Sequence, residues 1–301
     1  GFLSFGVQDI QVNWQEERLQ MIIVKEYRGH IRNWKTLCEA LNIDTSLSRE
    51  KRERQILIRA YQNWGYDMAN QMQGMFAFAL WDEEEEKLFC LRDHFGTKPF
   101  YYYMTEGGQL LYGTMIRQIM EQPGFVKELN GEMLQLYLTL TYVAGENTFF
   151  KGVRKLMPGR YLIWQDGKLT IERYWKPEFQ MDESKSLEEW AEEIHSTIEE
   201  VMPEVKEKEE LAGAFLSGGV DSSYVLALSD VEQSASCGYD EPRFDESPLA
   251  KETADLLGPL QDYAGGVFWN CSVGHVSYGA AAWRCIGDRI CHCMQGSCRA
   301  Y

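Results

Sequence analysis

The chain has 301 residues, 45% of them hydrophobic and 25% charged, enough for two domains of ordinary size with apolar cores. Its formal net charge of −16 excludes a nucleic-acid groove, which needs clustered Lys and Arg, and the short basic stretches at 28–32 and 51–54 suit a solvated face. The apolar run at 75–81 is far too short to cross a bilayer and no signal peptide opens the chain, while Cys38, Cys90 and Cys237 are the only thiols before residue 258, so a soluble cytoplasmic protein is expected.

From Gly1 to about residue 177 the pattern predicts short strands with a few helices. Residues 20–24, 75–81, 87–92, 100–103, 109–113 and 161–164 are brief apolar runs mostly bounded by turn signals. Gln165-Asp166-Gly167 marks a hairpin. Helices are expected at 34–41, 53–64 and 130–140.

From residue 184 the texture changes. Ser186 followed by Glu189 is a capping box, and an amphipathic helix should run from there to about Met202. A buried strand at 211–216 leads into a Gly-rich turn, a helix at 222–229, a strand at 234–238 and a helix at 247–257. Strand, helix, strand, helix is the start of a parallel α/β sheet. Residues 259–301 fit neither texture and show no clear period. Cys271, Cys285, Cys291, Cys293 and Cys298 crowd there, but a C-x-C pair is not zinc-finger spacing, and no metal site is expected.

The turn after the 211–216 strand carries the chemistry. It is Ser217-Gly218-Gly219-Val220-Asp221-Ser222-Ser223. Glycines let a backbone approach a polyphosphate closely, and the following helix offers its unpaired N–H groups and positive dipole end to an anion. The three serines add hydroxyl donors, and Asp221 suits either a Mg²⁺ shell or fixing the loop itself. No Lys follows, so a pyrophosphate is a better match than a transferred γ-phosphate. A plain strand-to-helix turn would also use Gly and Ser, but the full string behind a buried strand favours the phosphate loop.

Leu216 and this loop resemble the motif of ATP pyrophosphatases that adenylate their substrates. Upstream, Gly74-Met-Phe-Ala-Phe-Ala-Leu-Trp-Asp82, Leu91-Arg-Asp-His-Phe-Gly-Thr-Lys-Pro-Phe-Tyr-Tyr102, Leu156-Met-Pro-Gly-Arg-Tyr161 and Arg173-Tyr-Trp175 resemble the glutamine amidotransferase half of asparagine synthetases. The resemblance covers about residues 1–258 and implies a fold. An amidotransferase-type αββα sandwich over 1–177 should be followed, over 184–258, by the beginning of an ATP-pyrophosphatase domain with a parallel sheet. It also implies a reaction. ATP, with Mg²⁺, would adenylate aspartate, and ammonia released from glutamine would displace AMP to give asparagine. By the same match Leu216, Ser217, Gly218, Gly219, Asp221, Ser222, Ser223 and Cys237 would contact ATP, Cys237 standing where the family usually has Val. Phe244-Asp245-Glu246 falls where the family has Tyr-Asp-Glu, and its acids suit helix caps as well as ligands. Small-molecule substrates and a homodimer are the expected partners.

The glutaminase site departs from the family pattern. The family nucleophile is a Cys directly after the initiator Met; the chain opens on Gly1, several dozen residues into the pattern, and processing or truncation upstream is expected. No catalytic residue is therefore assigned. The Asn-Gly oxyanion pair aligns with Arg28-Gly29, the Asp that grips the glutamine amine with Glu53, and a nearby Glu with Gln55. Loss of one oxyanion donor costs on the order of 10²–10³ in rate, so the front half is expected to be a scaffold, with Cys38 and Cys90 as core residues. A β-lactam synthetase-like cyclase and a non-catalytic fragment are the alternatives, since such cyclases also lack the Cys.

The tail has an explanation of its own. With one base dropped, the codons of Gly265 to Asn270 permit Glu-Glu-Phe-Phe-Gly, and those of Val276 to Gly279 permit Tyr-His-Met. Cys285 to Arg289 permits Ala-Ser-Ala-Ile, and Met294 to Tyr301 permits Cys-Lys-Glu-Val-Ala-Ala-His. These follow family order and spacing, so 259–301 is expected to be the family sequence in a shifted frame, with no family-like α/β continuation.

Overall fold

The computed structural model describes residues 22–205, 214–229, 234–238, 242–243, 245–257 and 267–270. The chain divides into two units, Gly1–Met181 and Asp182–Tyr301.

In the first unit, β2 (Gly74–Asp82) lies between the edge strand β1 (Ile22–Ile31) and β3 (Lys87–Arg92), all antiparallel. With β7 (Arg160–Gln165) and β8 (Lys168–Arg173) they form a five-stranded sheet ordered β1-β2-β3-β7-β8. The β2 sequence explains its place. Phe76, Phe78 and Leu80 alternate with Ala77 and Ala79, and a strand sends alternate residues to opposite faces. The large side chains fill a core with Leu37 of α1 (Trp34–Leu41), Ile56 and Leu57 of α2 (Arg49–Trp64) and Met68 of α3 (Met68–Gln71). The alanines face a second core with Phe100, Tyr102 and Leu110.

That second core belongs partly to an antiparallel sheet ordered β5-β4-β6, from β4 (Tyr101–Met104), β5 (Leu110–Gly113) and β6 (Arg154–Lys155). Its other face meets α4 (Ile116–Met120) through Tyr103, Leu111, Ile119 and Val153. Helices, sheet, sheet and helix follow in that order, the layering expected from the resemblance. The helix expected at 130–140 is α5 (Glu132–Leu140).

Several boundaries differ from the sequence expectations. β1 runs on to Ile31 through Lys25, Glu26, Arg28 and His30, because an edge strand accepts charges that a central strand does not. A register shift between Val24 and Glu26 also breaks the alternation that would have revealed its length. α2 starts at Arg49, one turn before the expected residue 53, with Ser48 at its N-cap. β6, α3 and α4 have between two and five residues each, too few to show a period.

In the second unit, Ser186 and Glu189 close the expected capping box, each backbone N–H donating to the other's side chain at 2.7 and 3.2 Å, and α6 (Leu187–Val205) follows. The strand expected at 211–216 is described only as β9 (Ala214–Phe215). α7 (Val220–Leu228), β10 (Ser234–Gly238) and α8 (Ser247–Leu256) lie within two residues of their expected bounds. β9 and β10 pair in parallel.

One strand was not assigned from the sequence: β11 (Val267–Asn270) pairs in parallel with β10. A three-residue apolar run gives no period by itself, which is why the sequence did not reveal it. The other tail residues, with Cys271, Cys285, Cys291, Cys293 and Cys298, lie outside the described residues, as do the stretch 1–21 and Phe244.

Candidate functional site

Glu53 sits in α2 behind β1 and is 2% exposed. Three donors from β1 reach its carboxylate: the Tyr27 hydroxyl at 2.7 Å, His30 Nδ1 at 2.9 Å and the Ile31 N–H at 3.0 Å. Arg49, one turn earlier on α2, brings Nε to 3.6 Å. Burial by itself would raise the Glu53 carboxyl, but the hydrogen bonds from His30, Ile31 and Tyr27 and the Arg49 charge outweigh it, leaving the pKa below the ordinary value. The same burial, together with the Glu53 charge, pushes the Tyr27 phenol far up. Tyr27, His30 and Arg49 were not among the residues singled out from the sequence; an acid in a half-buried helix face opposite an edge strand rich in polar residues was the available signal.

Gly29 lies between two of these donors. Its φ of +145° is unusual for a residue with a side chain, and a Cβ there would lie 2.1 Å from the Met75 carbonyl oxygen. Arg28 beside it is half-buried on β1.

Asp93, 1% exposed, organises the loop after β3. Its carboxylate accepts from the N–H groups of Phe76, Phe95, Thr97 and Lys98 at 3.3, 3.1, 2.9 and 3.0 Å. Arg92 binds three carbonyls, those of Lys98, Leu156 and Gly96, at 2.8, 2.6 and 2.7 Å.

Cys38 and Cys90 are 1% and 0% exposed, and burial raises both thiols, for Cys38 against the opposing charge of Arg52. Thiols so held are poor thiolate nucleophiles.

The serine–glycine loop joins β9 to α7 at the carboxyl end of a parallel strand, where open α/β sheets bind ligands. Leu216 is 3% exposed and packs with Leu226 and Ala250, anchoring the loop. Ser217 N–H donates to Ser222 Oγ at 3.2 Å, Gly219 N–H donates to Ser217 Oγ at 3.3 Å, and Ser222 Oγ donates to the Gly219 carbonyl at 3.1 Å. Gly218 has φ +79°, and a Cβ on it would come within 2.6 Å of Leu249 Cβ and 2.7 Å of the Ala250 nitrogen. Gly219 is the N-cap of α7 and Asp221 stands exposed in its first turn. Ser223 Oγ lies 3.3 Å from Thr253 Oγ1 on α8. Cys237 lies on β10, in the strand beside β9. Asp245 Oδ1 accepts the Ser247 N–H at 3.1 Å at the start of α8.

The described residues contain no group of three His, Cys, Asp or Glu able to hold a metal ion, and no helix among them is long and apolar enough to cross a membrane. The loop does carry donors of the kind an anion takes. The first N–H groups of a helix lack intrahelical partners, here behind a glycine pair, and Asp221 offers one carboxylate beside them.

A family model described as "Glutamine amidotransferase domain" matches residues 11–175, more than half of the chain. One described as "Asparagine synthase" matches residues 205–260. Asparagine synthetase [glutamine-hydrolyzing] 1 of Bacillus subtilis is 29% identical over 270 residues, which cover 86% of this chain and 41% of the relative. Asparagine synthetase [glutamine-hydrolyzing] 3 of the same organism is 28% identical over 204 residues, 67% of this chain and 33% of the relative. Among solved structures, a glutamine phosphoribosylpyrophosphate amidotransferase from B. subtilis aligns with TM-score 0.34 and 14% identity over 52% of this chain and 30% of that one. The chain thus spans less than half the length of these relatives. An antiparallel sandwich matched by the amidotransferase model and a second unit matched by the synthase model agree with the curated relatives, and the chain belongs to the asparagine synthetase family.

Proposed function

We propose that this chain is part of an asparagine-forming ligase that adenylates aspartate with ATP and amidates it with free ammonia, its amidotransferase unit serving as a scaffold without glutaminase activity. The observation that carries the scaffold reading is Glu53. An acid that is to grip a substrate ammonium must offer its oxygens to the pocket, and here Tyr27, His30 and Ile31 already engage both of them. Arg28, in the position of an oxyanion amide, supports the same reading, as do the inert thiols Cys38 and Cys90.

For the second unit, Ser217, Gly218, Gly219, Ser222 and Ser223 would hold the pyrophosphate of ATP and Asp221 would face its Mg²⁺, with Leu216 and Cys237 toward the nucleotide. Adenylation suits the substrate, because carboxylate oxygen is a poor leaving group and AMP a good one. Aspartate as the acid, cytoplasmic location and homodimeric assembly belong to the same proposal.

The test uses a chimera that continues this chain with the remaining length of the B. subtilis relative. Asparagine and pyrophosphate should form from ATP, aspartate and ammonia, and glutamine should not replace ammonia. Glutamate released from glutamine would overturn the scaffold reading. Failure with ammonia as well, in a folded chimera, would overturn the ligase reading.

A further inference from the structure

Arg28 on β1 lies opposite Ala77 on β2, and Ala77 lies opposite Arg92 on β3. Directly opposed residues of antiparallel strands share a face. Arg28 and Arg92 therefore stand on one face of the sheet, two strand spacings or about 10 Å apart, with only a methyl group between them. Arg92 fastens the backbone of Lys98 at that place, through the 2.8 Å bond from Nε to the Lys98 carbonyl. Tyr101, at the head of β4 in the facing sheet, completes the group. Burial raises its phenol pKa, and the charges of Arg92 and Arg28 act against that rise. Burial lowers the Lys98 ammonium, and the like charge of Arg28 lowers it further.

The acids nearby are already engaged. Asp93 gives its oxygens to four backbone N–H groups, and both Glu53 oxygens accept from β1. Arg92 spends its donors on three carbonyls. Among the described residues the Arg28 guanidinium and the Lys98 ammonium have no ion pair or side-chain hydrogen bond, and the Tyr101 hydroxyl has no hydrogen bond. The Asp93 charge acts in favour of the Lys98 ammonium, but Arg28 and Arg49 act against it, and cations that outnumber the carboxylate beside them are unfavourable unless an anion joins them. In a chain of net charge −16 such a local excess stands out.

We propose that Arg28, Lys98 and the Tyr101 hydroxyl form an oxyanion site that binds a small dianion of the phosphate class. Guanidinium and ammonium donate charge-assisted hydrogen bonds to phosphate oxygens, the phenol donates a third, and two cations match two negative charges. The site lies on the sandwich face of β1, while Glu53 approaches that strand from α2. It does not depend on adenylation by the second unit.

The experiment is isothermal titration of the intact chain with inorganic phosphate at low ionic strength, with succinate as a dianion of different shape. The loop at Ser217 also invites phosphate, so the readout is the difference the variants make. Arg28→Gln and Lys98→Gln should each weaken one saturable phosphate event by about tenfold or more, the order expected for loss of one charge-assisted contact. Arg28→Lys should keep most of it, and Lys127→Gln, an exposed lysine elsewhere, should leave it unchanged. Circular dichroism confirms that each variant is folded. No saturable event, an event untouched by Arg28→Gln and Lys98→Gln, an equal loss in Lys127→Gln, or preference for succinate would each overturn the proposal.

Discussion

His30 Nδ1 donates to Glu53 Oε1 at 2.9 Å, and the Ile31 N–H donates to the same oxygen at 3.0 Å. One carboxylate oxygen thus ties α2 to two consecutive residues of an edge strand. Glu53→Gln removes the charge and turns part of an acceptor into a donor facing donors. It should cost about 3 kcal/mol, the scale for breaking a buried charged hydrogen-bond set, measured as a lower urea midpoint.

The pH dependence follows from the depressed Glu53 pKa. A carboxyl whose folded pKa lies below its unfolded value of about 4.5 contributes fully above that value and loses the contribution as pH falls through the folded pKa. The stability gap between the natural chain and Glu53→Gln should therefore be constant near neutrality and narrow below about pH 4. A gap independent of pH down to 3 would show that the carboxylate charge is not what holds β1 to α2.

Asp93→Ala would strip four backbone N–H groups of their acceptor at a site that is 1% exposed. Loss of stability by about 3 kcal/mol or more is expected. Limited proteolysis should then cut within 94–98, where the natural chain resists. Protection as in the natural chain would mean that Arg92 alone holds the loop.

Gly218→Ala should destabilise the second unit by about 1–3 kcal/mol, because both the φ of +79° and the close Leu249 and Ala250 atoms oppose a side chain. Hydrogen exchange in α7 and α8 should rise while that of β2 and β3 stays unchanged. Faster exchange in β2 would point to a general effect on the chain instead.

The tail prediction is read in DNA. Inserting or deleting bases near the codons for Leu257 to Leu260 should open a frame that continues to Ser-Gly-Glu-Gly-Ala-Asp-Glu. A gene with no such open frame downstream removes the shifted-frame account of residues 259–301. Val267–Asn270 can pair beside β10 in either case, since backbone hydrogen bonding asks little of the side chains.

What the sequence made legible was what has a period or a fixed string. The Phe–Ala alternation of β2, the capping box before α6 and the loop from Ser217 to Ser223 each carry their own geometry. The polar half of β1 did not, because charges on an edge strand look like a loop until the partner strand is known. The contacts of Glu53 were illegible for a related reason: Tyr27 lies 26 positions away, and only the pairing of β1 with β2 sets which donors face α2. Opposition of Arg28 and Arg92 across Ala77 likewise exists only in the register of three strands.

The three donors on Glu53 also bear on how this site can change over generations. An Asp at residue 53 would be one methylene shorter and could not reach Tyr27, His30 and Ile31 together, so those donors would be stranded in the core. Residues that share one hydrogen-bond network change at non-additive cost. A shorter acid at residue 53 would thus pass through less stable chains unless Tyr27 and His30 were replaced first.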